Sequence, residues 1–320
     1  MRLTVTLTTT ALLAIVVAAC TGAGAGASPS SSAAAPTEAP SIAPSDAASV
    51  APSATPDACA KENLALTTPG VLTIGADNPA FPPYYDFPGD GETATDPWES
   101  GDPTNGRGFE SATAYAIAEA LGFTKTEVTW VPVPFNNAIQ PGEKDFDLYL
   151  TQVSYSDERA QAVDLTEGYF DLTQAVVSLA DNPIAKVTTV AGLKDFKLAA
   201  PVSTTSLAYI TDVIVPTADP SVYDTLDAAI QAVSAGQVDG VVVDLPTAFF
   251  ITAVQLEGGT IVGALPPTGA ETEYFSVVLD KDSPLTACVN EAIVAIKADG
   301  TLAAITDEWI TGQGAPAIAP

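Results

Sequence analysis

Carboxylates are the only abundant ionisable groups in this chain: 39 Asp and Glu stand against 11 Lys and Arg, with no histidine. The commonest general base and the commonest metal ligand are therefore missing. Three cysteines without histidine cannot build a four-ligand zinc site either, so neither a metal nor a cofactor is expected. A net charge of −28 repels phosphate backbones and anionic headgroups, which excludes nucleic acid as a partner. Beyond the first twenty residues the only arginines are Arg107 and Arg159. A planar guanidinium giving two parallel hydrogen bonds is the best holder of a small carboxylate, so these two carry unusual weight. Asp244 ends an apolar run, 241–243, where a solvated charge is out of place. It either faces a site or caps the helix that follows. Ser203-Thr204-Thr205 lies between a strand and a helical run, where backbone N–H groups favour an anion.

The elements that must position these residues alternate. A length of 320 residues allows about two domains. Apolar residues at 47% against 16% charged supply a sizeable core. Apolar runs at 71–76, 127–133, 146–150, 174–180, 198–200, 240–243 and 274–279 read as strands. Between them lie helices at 108–122, 225–235 and 284–298, with a shorter one through Trp309. In the first, Ala114, Ile117, Ala118 and Leu121 keep the helical spacing and Gly122 suits the C-terminal cap. Such alternation predicts an α/β architecture of two parallel sheets. Residues 86–107, rich in Gly, Pro and acid and carrying Trp98, read as an inserted loop or flap, a solvated surface loop foremost.

Residues 12–19 form an apolar stretch too short for a membrane span, preceded by Arg2 and ending at Cys20. Residues 1–19 read as a signal peptide. Val17-Ala18-Ala19-Cys20 resembles a lipobox, with Cys20 as the lipidation site; an ordinary secretory peptide is the alternative. Residues 20–57 are almost all Ala, Ser, Pro, Gly and Thr, and read as a disordered spacer. Cys59 and Cys288 remain at opposite ends of the exported region. They are expected to form a disulfide, two separate buried thiols being the other arrangement.

Three colinear sets of residues then read together. The first is Thr73-Ile74-Gly75-Ala76-Asp77-Asn78-Pro79-Ala80-Phe81-Pro82-Pro83-Tyr84. The second joins Gly108-Phe109-Glu110, Phe146-Asp147 and Gln152-Val153-Ser154-Tyr155-Ser156-Asp157-Glu158-Arg159-Ala160. The third joins Gly236-Gln237-Val238-Asp239-Gly240-Val241-Val242-Val243-Asp244 to Lys297-Ala298-Asp299-Gly300-Thr301-Leu302 and Trp309. Over about 60–312 the chain resembles the family 3 extracellular solute-binding proteins, the polar-amino-acid receptors of ABC importers.

That resemblance implies a two-lobed periplasmic-binding-protein-like fold of type II, with two parallel-sheet lobes joined by a two-strand hinge. Lobe one would be 58–172 plus 272–320, and lobe two 173–271. It implies that Arg159 clamps the ligand's α-carboxylate, against the alternative of an ion pair with Asp157 or Glu158. Asp244 would receive the α-ammonium, and Phe81 and Phe135 would sandwich the aliphatic part unless they are plain core. Gln152 and Ser154 would hydrogen-bond the ligand opposite Thr204 and Thr205, while Asp77 would face its side chain. Ser203 departs from the glycine usual in the family there. The implied function is a lipid-anchored, monomeric receptor on the outer face of the cell membrane, delivering an amino acid or similar zwitterion to an ABC permease. The alternatives are a cyclohexadienyl dehydratase-like enzyme, with Asp77 or Glu110 as acid, and a sensing module on the same fold.

Overall fold

The computed structural model describes residues 57–268, 272–310 and 314–320. The expected signal peptide, Cys20 and nearly all of the expected spacer lie outside them. The turn at Pro69-Gly70, with Gly70 at φ +79°, delivers the first apolar run into β1 (Leu72–Ala76). All five β1 residues are buried, because the strand lies inside a sheet covered on both faces. The chain continues through α1 (Phe109–Ala120), β2 (Val128–Pro132), α2 (Phe135–Ala138), β3 (Leu148–Tyr149), α3 (Arg159–Ala162) and β4 (Asp164–Leu165). It then crosses in β5 (Phe170–Leu172) to a second lobe. There it forms β6 (Gln174–Leu179), β7 (Leu198–Pro201), α4 (Thr205–Tyr209), β8 (Ser221–Tyr223) and α5 (Leu226–Ser234). The same lobe is completed by β9 (Gly240–Asp244), α6 (Leu245–Phe250) and β10 (Gly259–Ala264). The return path is β11 (Glu273–Phe275), β12 (Val278–Leu279), α7 (Thr286–Ala298) and α8 (Thr301–Trp309).

The first lobe's sheet has the order β2-β1-β3-β12-β4 and the second β10-β6-β9-β7-β8, while β5 and β11 pair antiparallel as the two connecting strands. Neither sheet is wholly parallel, which corrects the expectation. β1 is parallel to β2 and β3, and β7 to β8 and β9. But β12 runs against β3 and β4, and β6 against β9 and β10. The reason is connectivity. β6 and β12 follow the crossing strands directly, without the helical crossover that a parallel neighbour requires. The expected single strand at 274–279 is accordingly split between the hinge and the first sheet.

Each sheet is filled on both faces. Leu72 and Ile74 pack with Ile117, Val289 and Ile293 from α1 and α7, while Phe146, Tyr149 and Val278 fill the opposite side. Along β6 the strand period of two sends Ala175 and Val177 to one core and Val176 to the other. Cys59 and Cys288 are disulfide-bonded, Cα to Cα 5.3 Å apart, which ties the start of the first lobe to α7.

Two further expectations change. Residues 314–320 do not stay with the first lobe: Ala317 bridges Ala264, Ala319 bridges Thr189, and Ile318 is buried in the second lobe's core. The 86–107 insertion is not merely solvated loop. Trp98 and Asp102 are buried, Gly101 bridges Ala80, and Asn78 Nδ2 donates to the Pro97 carbonyl at 2.9 Å. The insertion thus buttresses the loop after β1, and its Phe87 meets Phe250 of the second lobe in a tilted ring contact, centroids 6.3 Å apart. Among the described residues no helix is long and apolar enough to cross a membrane.

Candidate functional site

The carboxyl ends of the parallel strands face each other across the gap between lobes, where open α/β sheets place ligands. Asp77 follows β1 and Gln152 follows β3; across from them Thr204 follows β7 and Asp244 ends β9. They line a cavity of about 370 Å³. All nine expected binding residues line it: Asp77, Phe81, Phe135, Gln152, Ser154, Arg159, Thr204, Thr205 and Asp244.

Arg159 opens the short α3 and is 8% exposed. Its Nη1 donates to the Ser154 carbonyl at 2.5 Å and its Nη2 reaches across the cleft to the Ser203 carbonyl at 2.6 Å. The guanidinium lies over the Phe135 ring, 5.4 Å from the centroid. Among the described residues no carboxylate pairs with it, so the alternative of an ion pair with Asp157 or Glu158 does not hold. Burial lowers its pKa to about 10, which still leaves it protonated at neutral pH. Two carbonyls do not neutralise a buried cation, and its remaining N–H groups suit a ligand carboxylate.

Asp244 takes the capping role foreseen for it and lines the cavity as well. As N-cap of α6 it accepts from the Thr247 backbone N–H at 2.9 Å and from Thr247 Oγ1 at 2.8 Å. Tyr84 Oη, from the first lobe, donates to its Oδ1. Burial raises the Asp244 pKa, and these donors oppose the rise without cancelling it. Every contact is a donor and none is a cation, so the carboxylate retains capacity for an ammonium. Asp77 is similar: burial raises its pKa, against the amides of Asn78 and Phe135 that favour the charged form.

The other residues are partly committed within the protein. Thr204 Oγ1 caps α4 by accepting from the Leu207 N–H at 3.1 Å, and donates to the Pro201 carbonyl at 2.8 Å. Thr205 Oγ1 donates across the cleft to Ser154 Oγ at 3.4 Å. Gln152 lines the cavity, but its Nε2 is turned away to the buried Glu110, leaving its amide oxygen for the cleft. Phe81 meets Phe250 of the second lobe at 6.1 Å between centroids. Tyr84, Thr247 and Gln174 were not foreseen. Gln174 Nε2 donates to Glu273 at 3.0 Å and its Oε1 accepts from Ser206 at 2.7 Å, locking the hinge to the floor of the site.

Ser203 stands where the resemblance leads one to expect glycine, and its geometry does not account for the departure. It sits at φ +62°, the left-handed region that favours glycine. Replacing Ser203 by Gly should therefore relieve about 1–2 kcal/mol of backbone strain. The unfolded chain's extra freedom offsets part of that, leaving a net gain of roughly 0.5–1 kcal/mol. Chemical denaturation measures it; a loss of stability would mean that the serine hydroxyl does more than the strain costs.

Comparison with known proteins bears on the fold and the family. Residues 91–312 match the model of the bacterial extracellular solute-binding proteins, family 3. The chain is similar to the L-arginine-binding protein of Pseudomonas aeruginosa, 27% identical over 270 residues, or 78% of this chain and 94% of that one. It is 27% identical over 208 residues to the ABC transporter arginine-binding protein 1 of Escherichia coli, covering 63% of this chain and 81% of that one. A solved structure of an ancestral arginine-binding protein bound to glutamine superposes with a TM-score of 0.59 at 25% identity. It covers 76% of this chain and 99% of that one. The two lobes of mixed sheet on either side of a cleft are thus the type II periplasmic-binding-protein fold, and the chain belongs to the bacterial extracellular solute-binding proteins of family 3.

Proposed function

We propose that the chain is the lipid-anchored binding component of an ABC importer, and that it captures an amino acid with a cationic side chain. The observation that carries the reading is the pairing of Arg159, buried without a carboxylate, with Asp244, half-buried without a cation, on opposite walls of one cavity. A zwitterion satisfies both at once. Charge then selects the side chain. Asp77, Asp224 and Asp227 also line the cavity, and Arg159 is the cation among its lining residues. A ligand whose side chain is positive relieves that excess; an acidic one adds to it. The relatives named for arginine fit this balance. Closure follows from the geometry, since ligand contacts divide between lobes and so favour the closed state. Anchoring is assigned to Cys20, and delivery to a permease follows from the family.

A thermal-shift screen of the chain from residue 58 against the common amino acids tests the reading. A ligand at a hundredfold excess over its dissociation constant stabilises by about 2.7 kcal/mol, which for a domain of this size raises the melting temperature by roughly 5–10 °C. Arginine and lysine are expected to give the largest rises. No shift with any amino acid would overturn the binding reading, and a larger shift with glutamate would overturn the charge argument.

A further inference from the structure

Behind the cavity wall lies a carboxylate that no ligand reaches. Glu110 is fully buried at the start of α1. It is placed there by Gly108, at φ +94°, where a Cβ would stand 2.5 Å from the Tyr84 carbonyl. The Glu110 N–H donates to that same carbonyl at 2.9 Å. Its oxygens accept from Tyr169 Oη at 2.5 Å, from the Gln152 backbone N–H at 2.6 Å and from Gln152 Nε2. Gln152 itself has φ +43°, a conformation uncommon outside glycine that persists only where surroundings enforce it. Two hydrogen bonds to one buried carboxylate are what enforce it.

We propose that Glu110 is the positioning residue for Gln152, its carboxylate holding that residue's backbone and amide so that the cleft wall keeps its ligand-binding shape. The inference rests on the amino-acid-binding reading. All three side-chain contacts are donors, so they require the ionised form; protonation turns one acceptor into a donor and breaks the set. Tyr84, Tyr85, Tyr149, Tyr169 and Asp244 face Glu110 from the elements around it, and among the described residues no cation does. The tyrosines are pushed well above their ordinary range and stay neutral. Burial raises Glu110 to about 7, against the three donors.

The sign gives a distinctive pairing of effects. Because the folded-state pKa exceeds the unfolded one, Glu110 favours the folded state as pH falls through 7. Ligand affinity moves the other way, since Gln152 is released. A residue that merely filled space would move neither.

L-arginine is titrated calorimetrically at pH 8 and pH 6 against the wild type, Glu110→Gln and Tyr169→Phe, with thermal melts at both pH values. The Gln152 amide resonances of the ligand-free protein are followed by ¹⁵N NMR in parallel. The wild type is expected to bind about tenfold more weakly at pH 6, the worth of one hydrogen bond to a charge, while melting higher. Glu110→Gln should bind weakly at both pH values and lose the step. Tyr169→Phe removes a donor that favours the carboxylate, so its step should move to higher pH, and it decides the matter should Glu110→Gln not fold. An unchanged wild-type affinity, or a step that survives Glu110→Gln, overturns the inference. If L-arginine fails to bind at either pH, the functional reading falls instead. The Gln152 resonances then still test the coupling: a pH step confined to proteins with Glu110 supports it, and flat resonances overturn it.

Discussion

Arg159→Met is expected to reduce affinity for an amino acid by several hundredfold or more while leaving the ligand-free protein folded. Each charge-assisted hydrogen bond contributes about 1.5–3 kcal/mol, and a guanidinium gives a carboxylate two in parallel. Removing the clamp also strands the ligand's carboxylate in a dry site, which typically costs about 3–5 kcal/mol. The ligand-free protein has less to lose. It gives up the bonds to the Ser154 and Ser203 carbonyls, but it is also relieved of a buried, unpaired cation. Replacing buried charge by an apolar side chain of similar length is often close to neutral. Isothermal titration calorimetry and a thermal melt separate the two effects. Unchanged affinity would show that the guanidinium serves closure through Ser203 and not the ligand. A collapsed melting temperature with intact affinity would make it structural.

How far these residues were legible depends on whether their signal was local. Arg159 stood out because arginine is scarce, and Asp244 because it ends the apolar strand Gly240–Asp244. Cys59 and Cys288 stood out as the thiols left over in a region expected to be exported. Tyr84 did not: in Pro82-Pro83-Tyr84-Tyr85 either tyrosine reads as core, and both are buried. What distinguishes Tyr84 is a partner 160 residues away across the cleft, which only the folded lobes bring to it. Gln152 was expected to hydrogen-bond the ligand; it lines the cavity, yet its Nε2 goes to Glu110, 42 residues earlier in the chain. Strand direction was equally hidden. An apolar run reports burial but not polarity, so β6 and β12 read like their parallel neighbours until their connections are known. The tail failed for a different reason: Ile318 is a single apolar residue among Ala and Pro, with no period to mark it as core.

The des-amino analogue of the bound amino acid is expected to bind several hundredfold more weakly than the amino acid itself. Its carboxylate still reaches Arg159, but Asp244 is then left as a charge shut into the cleft and facing no cation. The three donors on Asp244, from Tyr84 and twice from Thr247, hold its position without neutralising it, and burial keeps its pKa above the ordinary range. An uncompensated buried charge of this kind typically costs about 3–5 kcal/mol, more than aromatic contact with Phe81 or Phe135 can conceal. Asp244→Asn should weaken the amino acid by a similar factor and nearly abolish the difference between the two ligands. The fold has reason to tolerate that change: the asparagine oxygen still accepts from the Thr247 N–H, and its amide can donate to a hydroxyl that turns to accept. The pH dependence gives a second handle. A raised carboxyl pKa means that the ligand-free protein takes up a proton as pH falls through it, and an arriving ammonium must displace that proton. Affinity should therefore fall with acidification through that pKa and be regained as pH rises, and Asp244→Asn should lose this part of the dependence while the step carried by Glu110 stays. Calorimetry on both ligands with both proteins closes the cycle. Equal affinity of the wild type for amino acid and des-amino analogue would show that Asp244 serves only to cap α6 and to hold Tyr84.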